Sequence, residues 1–199
     1  MLDFTNQVVL VTGAGSAKGM GRVIAQTFGK QGAKVVICDI NQAGCDANVE
    51  EMKKMGIDAT GYAANLTDPE AVKELVNTIV DKYGRIVHLS SVSGKRGGGI
   101  FGGAHYSASK AAVLGFSKNL AREVSSYGIT TNCVCPGLIN TEIWKSLPKE
   151  QADAVIDGIP MGRPGEPQEV ADAIVFLASK EASYITGEEI DINGGSHMD

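Results

Sequence analysis

Short, continuous apolar runs alternate with longer amphipathic segments along most of the chain. The runs at 7–12 and 34–39 show no polar alternation, which is typical of strands buried on both faces of a parallel sheet. Strands that alternate with helices predict an α/β fold with a doubly wound, Rossmann-like parallel sheet in one domain over 1–199. The predicted strands are 7–12, 34–39, 59–65, 86–90, 130–134 and 189–193, and the predicted helices are 21–32, 41–55, 68–83, 104–126 and 167–179.

Composition narrows the classes of function. The chain has 199 residues and a formal net charge of -5, which gives no electrostatic attraction to nucleic acid or to an anionic membrane. No apolar run approaches the ~18 residues of a membrane span, and the first residues do not form a signal peptide, so we expect a cytoplasmic protein. The four cysteines form no C-x-x-C pair, which predicts reduced, structural thiols.

A glycine-rich loop follows the first predicted strand. Thr12 to Arg22 contains four glycines and opens a helix, a context in which backbone N–H groups and the helix dipole bind a pyrophosphate. Asp39 closes the second strand, where a carboxylate binds the ribose hydroxyls of NAD. Asp39 would repel the extra phosphate of NADP, whereas Lys18 could attract it. The sequence therefore predicts a nucleotide site that favours NAD, with NADP as the less favoured cofactor.

A tyrosine and a lysine share one face of the long predicted helix. Tyr106 and Lys110 are four residues apart, and a nearby ammonium favours the phenolate form of a tyrosine. The strand ahead of this helix ends in Ser90 and Ser91. Together these residues predict an acid/base site with hydroxyl donors beside it.

Several motifs follow one another along the chain: Thr12-Gly13 to Gly21, Asp39, Ser90 to Gly94, Tyr106-x-x-x-Lys110, Asn132-x-x-x-Pro136-Gly137 and Asp191 to Gly195. Through these motifs the sequence resembles the classical short-chain dehydrogenase/reductase family over nearly its whole length. The resemblance implies an NAD(P)-dependent oxidoreductase that acts on an alcohol or a carbonyl, works without a metal and forms a homotetramer. Polyols, keto sugars and 3-oxoacyl thioesters all stay open as substrates.

The resemblance also implies roles for individual residues. Tyr106 would exchange a proton with the substrate oxygen, Lys110 would assist it and hold the nicotinamide ribose, and Ser91 would hydrogen-bond the substrate oxygen. Ser93 is an alternative to Ser91, because the spacing from Ser91 to Tyr106 is about two residues longer than is usual in the family. The implied cofactor contacts are Gly13, Gly15, Ser16, Gly19, Met20, Gly21, Asp39, Ile40, Asn65, Leu66, Tyr106, Lys110, Pro136, Gly137, Ile139 and Thr141.

Two segments are expected to border the substrate, 97–103 and 144–147. His105 is expected at the surface although it precedes Tyr106, and His88 is expected to be structural. Two departures from the family pattern are visible as well. Asn65 replaces the usual aspartate, and five residues instead of three separate Gly13 from Gly19.

One βα unit of the family pattern is absent. Members carry an Asn-Asn-Ala-Gly strand and a long helix between the helix that ends near Tyr83 and the strand that leads to the serines, but here Gly84-Arg-Ile86 runs directly into Val87. Either the sequence omits residues that the protein carries, the gene has an internal deletion, or the chain is a compact variant. We favour the first, because an absent central strand leaves costly unpaired backbone groups. The rival functions are therefore an impaired nucleotide-binding protein and an interaction domain.

Overall fold

Each half of the chain builds its own three-stranded parallel sheet. The computed structural model describes residues 2–79, 84–98, 102–145 and 148–199. These residues fall into two compact units, Met1–Lys82 and Tyr83–Asp199. The parallel strands and the helices between them confirm the predicted α/β, Rossmann-like class.

The first unit places its sheet in the order β1-β2-β3. Its apolar strands form the core, because Val35 and Ile37 of the middle strand are almost completely buried. Phe4 packs edge-on against Phe28 with ring centroids 5.0 Å apart and closes one end of this core. The elements are β1 (Val8–Thr12), α1 (Met20–Lys30), β2 (Lys34–Asp39), α2 (Gln42–Lys54), β3 (Ala59–Ala63) and α3 (Pro69–Ile79).

The second unit is built on a fully buried central strand. The sheet order is β4-β5-β6, and every residue of β5 is buried. Asn132 in β5 donates to the Ile185 carbonyl and accepts from the Glu188 N–H, so it fixes the approach to β6. The elements are β4 (Arg85–Leu89), α4 (Val92–Arg96), α5 (Ala104–Val124), a 3₁₀ turn (Ser125–Tyr127), β5 (Thr130–Pro136), α6 (Glu142–Lys145), α7 (Lys149–Asp157), α8 (Pro167–Ala178) and β6 (Glu189–Ile192).

β1 and β4 each lie at one edge of their sheet, and β3 and β6 lie at the other edges. Among the described residues, β1 pairs with β2 and β4 pairs with β5, and neither has a second partner. β4 runs without interruption through Ile86 and Val87, the junction at which the sequence predicts the absent unit. An unpaired edge on each of these strands is what the loss of a strand next to β1 predicts.

Several element boundaries differ from the prediction. β3 ends at Ala63 rather than at 65, because the Asn65 side chain accepts from the N–H and the hydroxyl of Thr67 and forms a turn. The helices α4, α6 and α7 were not predicted. The predicted end of the third helix at 80–83 lies outside the described residues. Across the described ranges, no helix is long and apolar enough to cross a membrane.

Candidate active site

The glycine loop of the first unit packs too closely to accept side chains. A Cβ on Gly21 would lie 2.5 Å from the Gly13 carbonyl oxygen, so α1 approaches the end of β1 at backbone distance. A Cβ on Gly15 would lie 2.7 Å from the Cβ of Asp39. Gly13 has a φ of 67°, in the left-handed region that glycine adopts without strain. The loop thus presents the bare backbone that a pyrophosphate site requires.

Asp39 is tied to this loop and keeps free hydrogen-bonding capacity. One carboxylate oxygen accepts from the Gly15 N–H at 2.9 Å, and the other accepts from the Asn41 N–H at 3.1 Å. A carboxylate offers about four acceptor positions, so these two bonds leave room for ribose hydroxyls. The predicted cofactor residues Gly15 and Asp39 therefore lie together.

A buried asparagine that the sequence reasoning missed holds the loop from behind. Asn48 of α2 is 2% exposed and donates to the Ala14 carbonyl at 2.7 Å and to the Ser16 carbonyl at 3.3 Å. Its position among the polar residues of α2 gave no signal, because the helical pattern alone does not separate a buried asparagine from a solvated one.

Two apolar side chains are exposed at the ends of strands in this unit. Ile40 follows β2 and is 77% exposed, and Leu66 follows β3 and is 45% exposed. Exposed apolar side chains such as Ile40 and Leu66 can offer the flat apolar surface that an adenine ring needs. The remaining loop residues of the prediction, Ser16, Gly19 and Met20, lie between β1 and the first turn of α1.

In the second unit, the catalytic candidates Ser91 and Tyr106 line one pocket of about 430 Å³, and Lys110 is not among its described lining residues. Ser91 and Ser93 reach it from the start of α4, Tyr106 reaches it from α5, and Gly137 reaches it from the end of β5. A second depression of about 390 Å³ lies on α3 and is lined by four polar side chains, none of which belongs to the predicted site.

Ser91 both caps α4 and faces the pocket. Its hydroxyl oxygen accepts from the Ser93 N–H at 3.1 Å, which leaves the hydroxyl proton available as a donor. Ser91 and Ser93 are equally buried and both line the pocket, so the choice between them stays open. Ser90 is different, because its hydroxyl is buried and donates to the Lys110 carbonyl at 2.8 Å. Ser90 is thus structural.

Lys110 is fixed between the strand and the tyrosine. Its ammonium donates to the Leu89 carbonyl at 2.9 Å and lies 5.8 Å from the centre of the Tyr106 ring. A Cβ on Gly94 would lie 2.8 Å from the Lys110 carbonyl carbon, so α4 and α5 meet at backbone distance. This close packing brings the two serines and the Tyr106–Lys110 pair to one place.

The predicted nicotinamide segment follows β5. Gly137 donates its N–H to the Ile192 carbonyl at 3.0 Å, and a Cβ on it would lie 2.8 Å from the Cβ of Asn193. Ile139 is buried, and the Thr141 N–H bonds back to its carbonyl at 2.8 Å. Of the four predicted residues Pro136, Gly137, Ile139 and Thr141, Gly137 lines the pocket directly, and the neighbouring Leu138 lines it as well.

Comparison with known proteins agrees with these motifs. Residues 7–86 match the family model described as short chain dehydrogenase, and residues 80–197 match the model described as Enoyl-(Acyl carrier protein) reductase. The 3-oxoacyl-[acyl-carrier-protein] reductases of Vibrio cholerae and Escherichia coli are 33% and 34% identical, and each alignment covers 99% of this chain and 100% of the relative. The chain belongs to the short-chain dehydrogenase/reductase family.

Solved structures of this family agree in fold. A 3-oxoacyl-[acyl-carrier protein] reductase from Brucella melitensis is 30% identical, with a TM-score of 0.90 over 99% of this chain and 93% of that one. A structure of such a reductase with bound NAD, from the same species, is also 30% identical, with a TM-score of 0.83 over 98% of this chain and 92% of that one. Membership makes this chain an oxidoreductase by family.

The family alignment also locates the absent unit. The alignment to the Escherichia coli relative spans 250 positions against 199 residues here, so about 50 positions of the relative have no counterpart. The two family-model matches meet at 80–86, the junction predicted from the sequence. This short-chain dehydrogenase/reductase is therefore a shortened version of its relatives.

The pocket walls differ partly from the prediction. Of the segment 97–103, Gly102 lines the pocket, and 99–101 lie outside the described residues. Trp144 is absent from the described lining, and 146–147 are not described. The opposite wall comes instead from α7 and from Ser196.

The two predictions for histidines are confirmed. His105 is exposed. His88 packs edge-on against Phe116 at 5.6 Å between ring centroids, and burial lowers its pKa. Neither histidine lines the pocket that holds Tyr106.

Proposed function

We propose that this chain reduces the keto group of 3-oxoacyl compounds with a nicotinamide cofactor. The observation that carries the proposal is that Ser91, Tyr106 and Gly137 line one pocket in the second unit. The named activity of the relatives supports the 3-oxoacyl class over a polyol or a keto sugar. The apolar part of the lining, from Leu138, Val155 and Ile159, suits a short acyl chain.

The side chains of the pocket have separable roles in this reaction. Ser91, or Ser93 in its place, donates a hydrogen bond to the substrate carbonyl oxygen. Tyr106 donates its phenolic proton to that oxygen as the hydride from the nicotinamide reaches the carbonyl carbon, and it takes the proton back in the oxidation direction. Lys110, held by the Leu89 carbonyl, presents its ammonium near the tyrosine ring and stabilises the phenolate that remains.

We propose NAD as the preferred cofactor, with NADP disfavoured. Asp39 repels a 2′-phosphate and retains acceptor positions for ribose hydroxyls. The residues proposed to bind the adenine half are the glycine loop, Asp39, Ile40, Asn65 and Leu66. The residues proposed to bind the nicotinamide half are Tyr106, Lys110, Pro136, Gly137, Ile139 and Thr141.

The proposal is tested by Tyr106→Phe, which removes the proton donor and keeps the ring. Reduction of a 3-oxoacyl ester, followed by the loss of NADH absorbance, should fall by at least about 100-fold. NAD affinity measured by calorimetry should change little. Tyr127→Phe is the matched control, because Tyr127 is exposed on the 3₁₀ turn. If Tyr106→Phe keeps more than about a tenth of the activity, the acid/base assignment is wrong.

A second function is favoured by the unpaired edges of β1 and β4. A nucleotide-binding protein that does not turn over would retain the glycine loop and Asp39 while the absent βα unit impairs catalysis. Cofactor binding by calorimetry with no NADH consumption across a panel of 3-oxoacyl esters, ketones and alcohols would support this alternative. Detectable reduction by the wild-type chain that Tyr106→Phe abolishes would exclude it.

We also propose a homotetramer in the cytoplasm. α5 exposes Phe116, which is 59% exposed, next to small residues on the same helix, and buried apolar surface favours association. The four cysteines are free and buried, as a reducing compartment requires. Sedimentation measurements would test the tetramer, and fractionation of the native cells would test the location.

A further inference from the structure

One charged side chain lines the pocket. Among its described lining residues, Arg96 carries a charge, and the others are small, hydroxyl-bearing or apolar. Arg96 is an exposed residue, and a cation at the wall of an otherwise uncharged pocket attracts an anion. Nothing in the proposed proton transfer uses Arg96.

Arg96 is held at the pocket by its own contacts. It ends α4, and its Nη1 donates to the Ser196 carbonyl at 3.0 Å. Ser196 also lines the pocket, so this bond keeps the guanidinium at the wall. A guanidinium has five N–H donors in a planar fork that matches a carboxylate or a phosphate, and the bond to Ser196 uses one of them.

The neighbouring carboxylates are engaged by a different cation. Lys95 donates to Asp191 at 2.9 Å and also contacts Asp199, and its ammonium lies 3.7 Å from Glu189. The Lys95 side chain is 6% exposed, and none of these four residues is among the described lining of the pocket. Each of these carboxylates therefore has a cationic partner other than Arg96.

We propose that Arg96 binds an anionic group of the substrate and selects charged 3-oxoacyl compounds over neutral ones. The proposal rests on the proposed function, because it assigns a specificity to that same pocket. Arg96 follows Ser91 by five residues, roughly 7.5 Å along a helix. Both residues line the same pocket, so a substrate whose keto group meets Ser91 can present a nearby carboxylate to Arg96, and the phosphate of a carrier arm is the other source of the same chemistry.

The experiment compares substrates that differ in charge at one end. Acetoacetate carries the carboxylate, ethyl acetoacetate is its neutral ester, and acetoacetyl-coenzyme A carries phosphates. The ratio of kcat/KM for acetoacetate to kcat/KM for its ester should fall about tenfold in Arg96→Met. The fall should come from the acid, with a much smaller change in kcat/KM for the ester. Arg96→Lys should recover part of the ratio. Arg122→Met on the exposed face of α5 is the control and should leave the ratio unchanged.

The results separate the two proposals. If Arg96→Met lowers the kcat/KM ratio to the ester for the coenzyme A thioester but not for the acid, Arg96 binds a phosphate. If the variant lowers this ratio for the acid, Arg96 binds a carboxylate. Equal ratios in wild type and Arg96→Met for both anions overturn the inference and leave the reductase function intact. If no substrate is reduced, the proposed function fails, and calorimetric binding of acetoacetate still decides on Arg96. About tenfold weaker binding in Arg96→Met supports the inference, and equal binding overturns it.

Discussion

Replacing Lys95 with methionine should destabilise the second unit, because it leaves a carboxylate without its cation. The ammonium lies 2.9 Å from Asp191 and contacts Asp199 as well. Burial by itself lowers the pKa of Lys95, but the hydrogen bonds to Asp199 and Asp191 outweigh burial and hold that pKa above its usual range. The lysine therefore stays charged at every pH at which the protein is normally handled.

The loss in the free energy of unfolding depends on which carboxylates keep a cation after the substitution. Removing one partner of a fully buried ion pair costs about 3–5 kcal/mol. Glu189 would keep Lys118 at 2.7 Å, and Asp199 is 63% exposed, so Asp191 bears most of the loss. The Asp191 side chain is itself 23% exposed. We therefore expect the free energy of unfolding to fall by about 2–3 kcal/mol.

Urea unfolding followed by tryptophan fluorescence measures the free energy of unfolding of the second unit. The chain has one tryptophan, Trp144, and it lies in α6 of the second unit. Adding Asp191→Asn to Lys95→Met removes the uncompensated charge and should recover part of the loss. Lys149→Met is the control, because its pair with Asp153 is exposed and should contribute less than about 0.5 kcal/mol. Equal midpoints for Lys95→Met and Lys149→Met would refute the buried role of Lys95.

Two further predictions concern the glycine loop and acid pH. Gly21→Ala should weaken NAD binding in calorimetry, because the added Cβ would lie 2.5 Å from the Gly13 carbonyl oxygen. Gly115→Ala is the control and should leave NAD binding unchanged, because a Cβ there has nothing within 4 Å. Equal NAD affinities of the two variants would contradict the close packing of the loop. Arg163 lowers the pKa of Glu169 to about 2, so this carboxylate contributes stability above its unfolded pKa that is lost as pH falls from about 4.5 toward 2. Glu169→Gln should flatten that part of a thermal-melting profile against pH, and an unchanged slope would contradict the pairing.

The buried strands were predictable because their pattern is local. β2 has the predicted bounds, since a continuous apolar run that ends in Asp39 leaves little freedom in where the strand begins and stops. α5 starts at Ala104 as predicted. The bounds of β2 and the start of α5 follow from the local sequence pattern, so neither needs information from distant residues.

The missed elements depend on contacts that sequence pattern does not carry. α4 contains Gly94 and resembles a loop, yet it forms because Ser91 caps it and because Gly94 admits α5 at backbone distance. α7 has a polar sequence, and its pocket-facing Val155 could not be told from an ordinary core residue. The hydrogen bonds of Asn48 to the glycine loop likewise join residues 34 and 32 positions apart.

The strand patterns of β1 and β4 explain why the fold survives in each unit despite the absent segment. An edge strand is normally blunted by charge, proline or a bulge, whereas Val8 to Val11 of β1 is an unbroken apolar run of the kind found in central strands. β4 likewise carries Ile86-Val87 at its centre and lies beside a fully buried β5. Each strand keeps the pattern suited to two neighbours while it has one among the described residues. The pairing of β1 with β2 and of β4 with β5 uses only residues of one unit each, and what the absent unit removes is the partner of the remaining edges of β1 and β4.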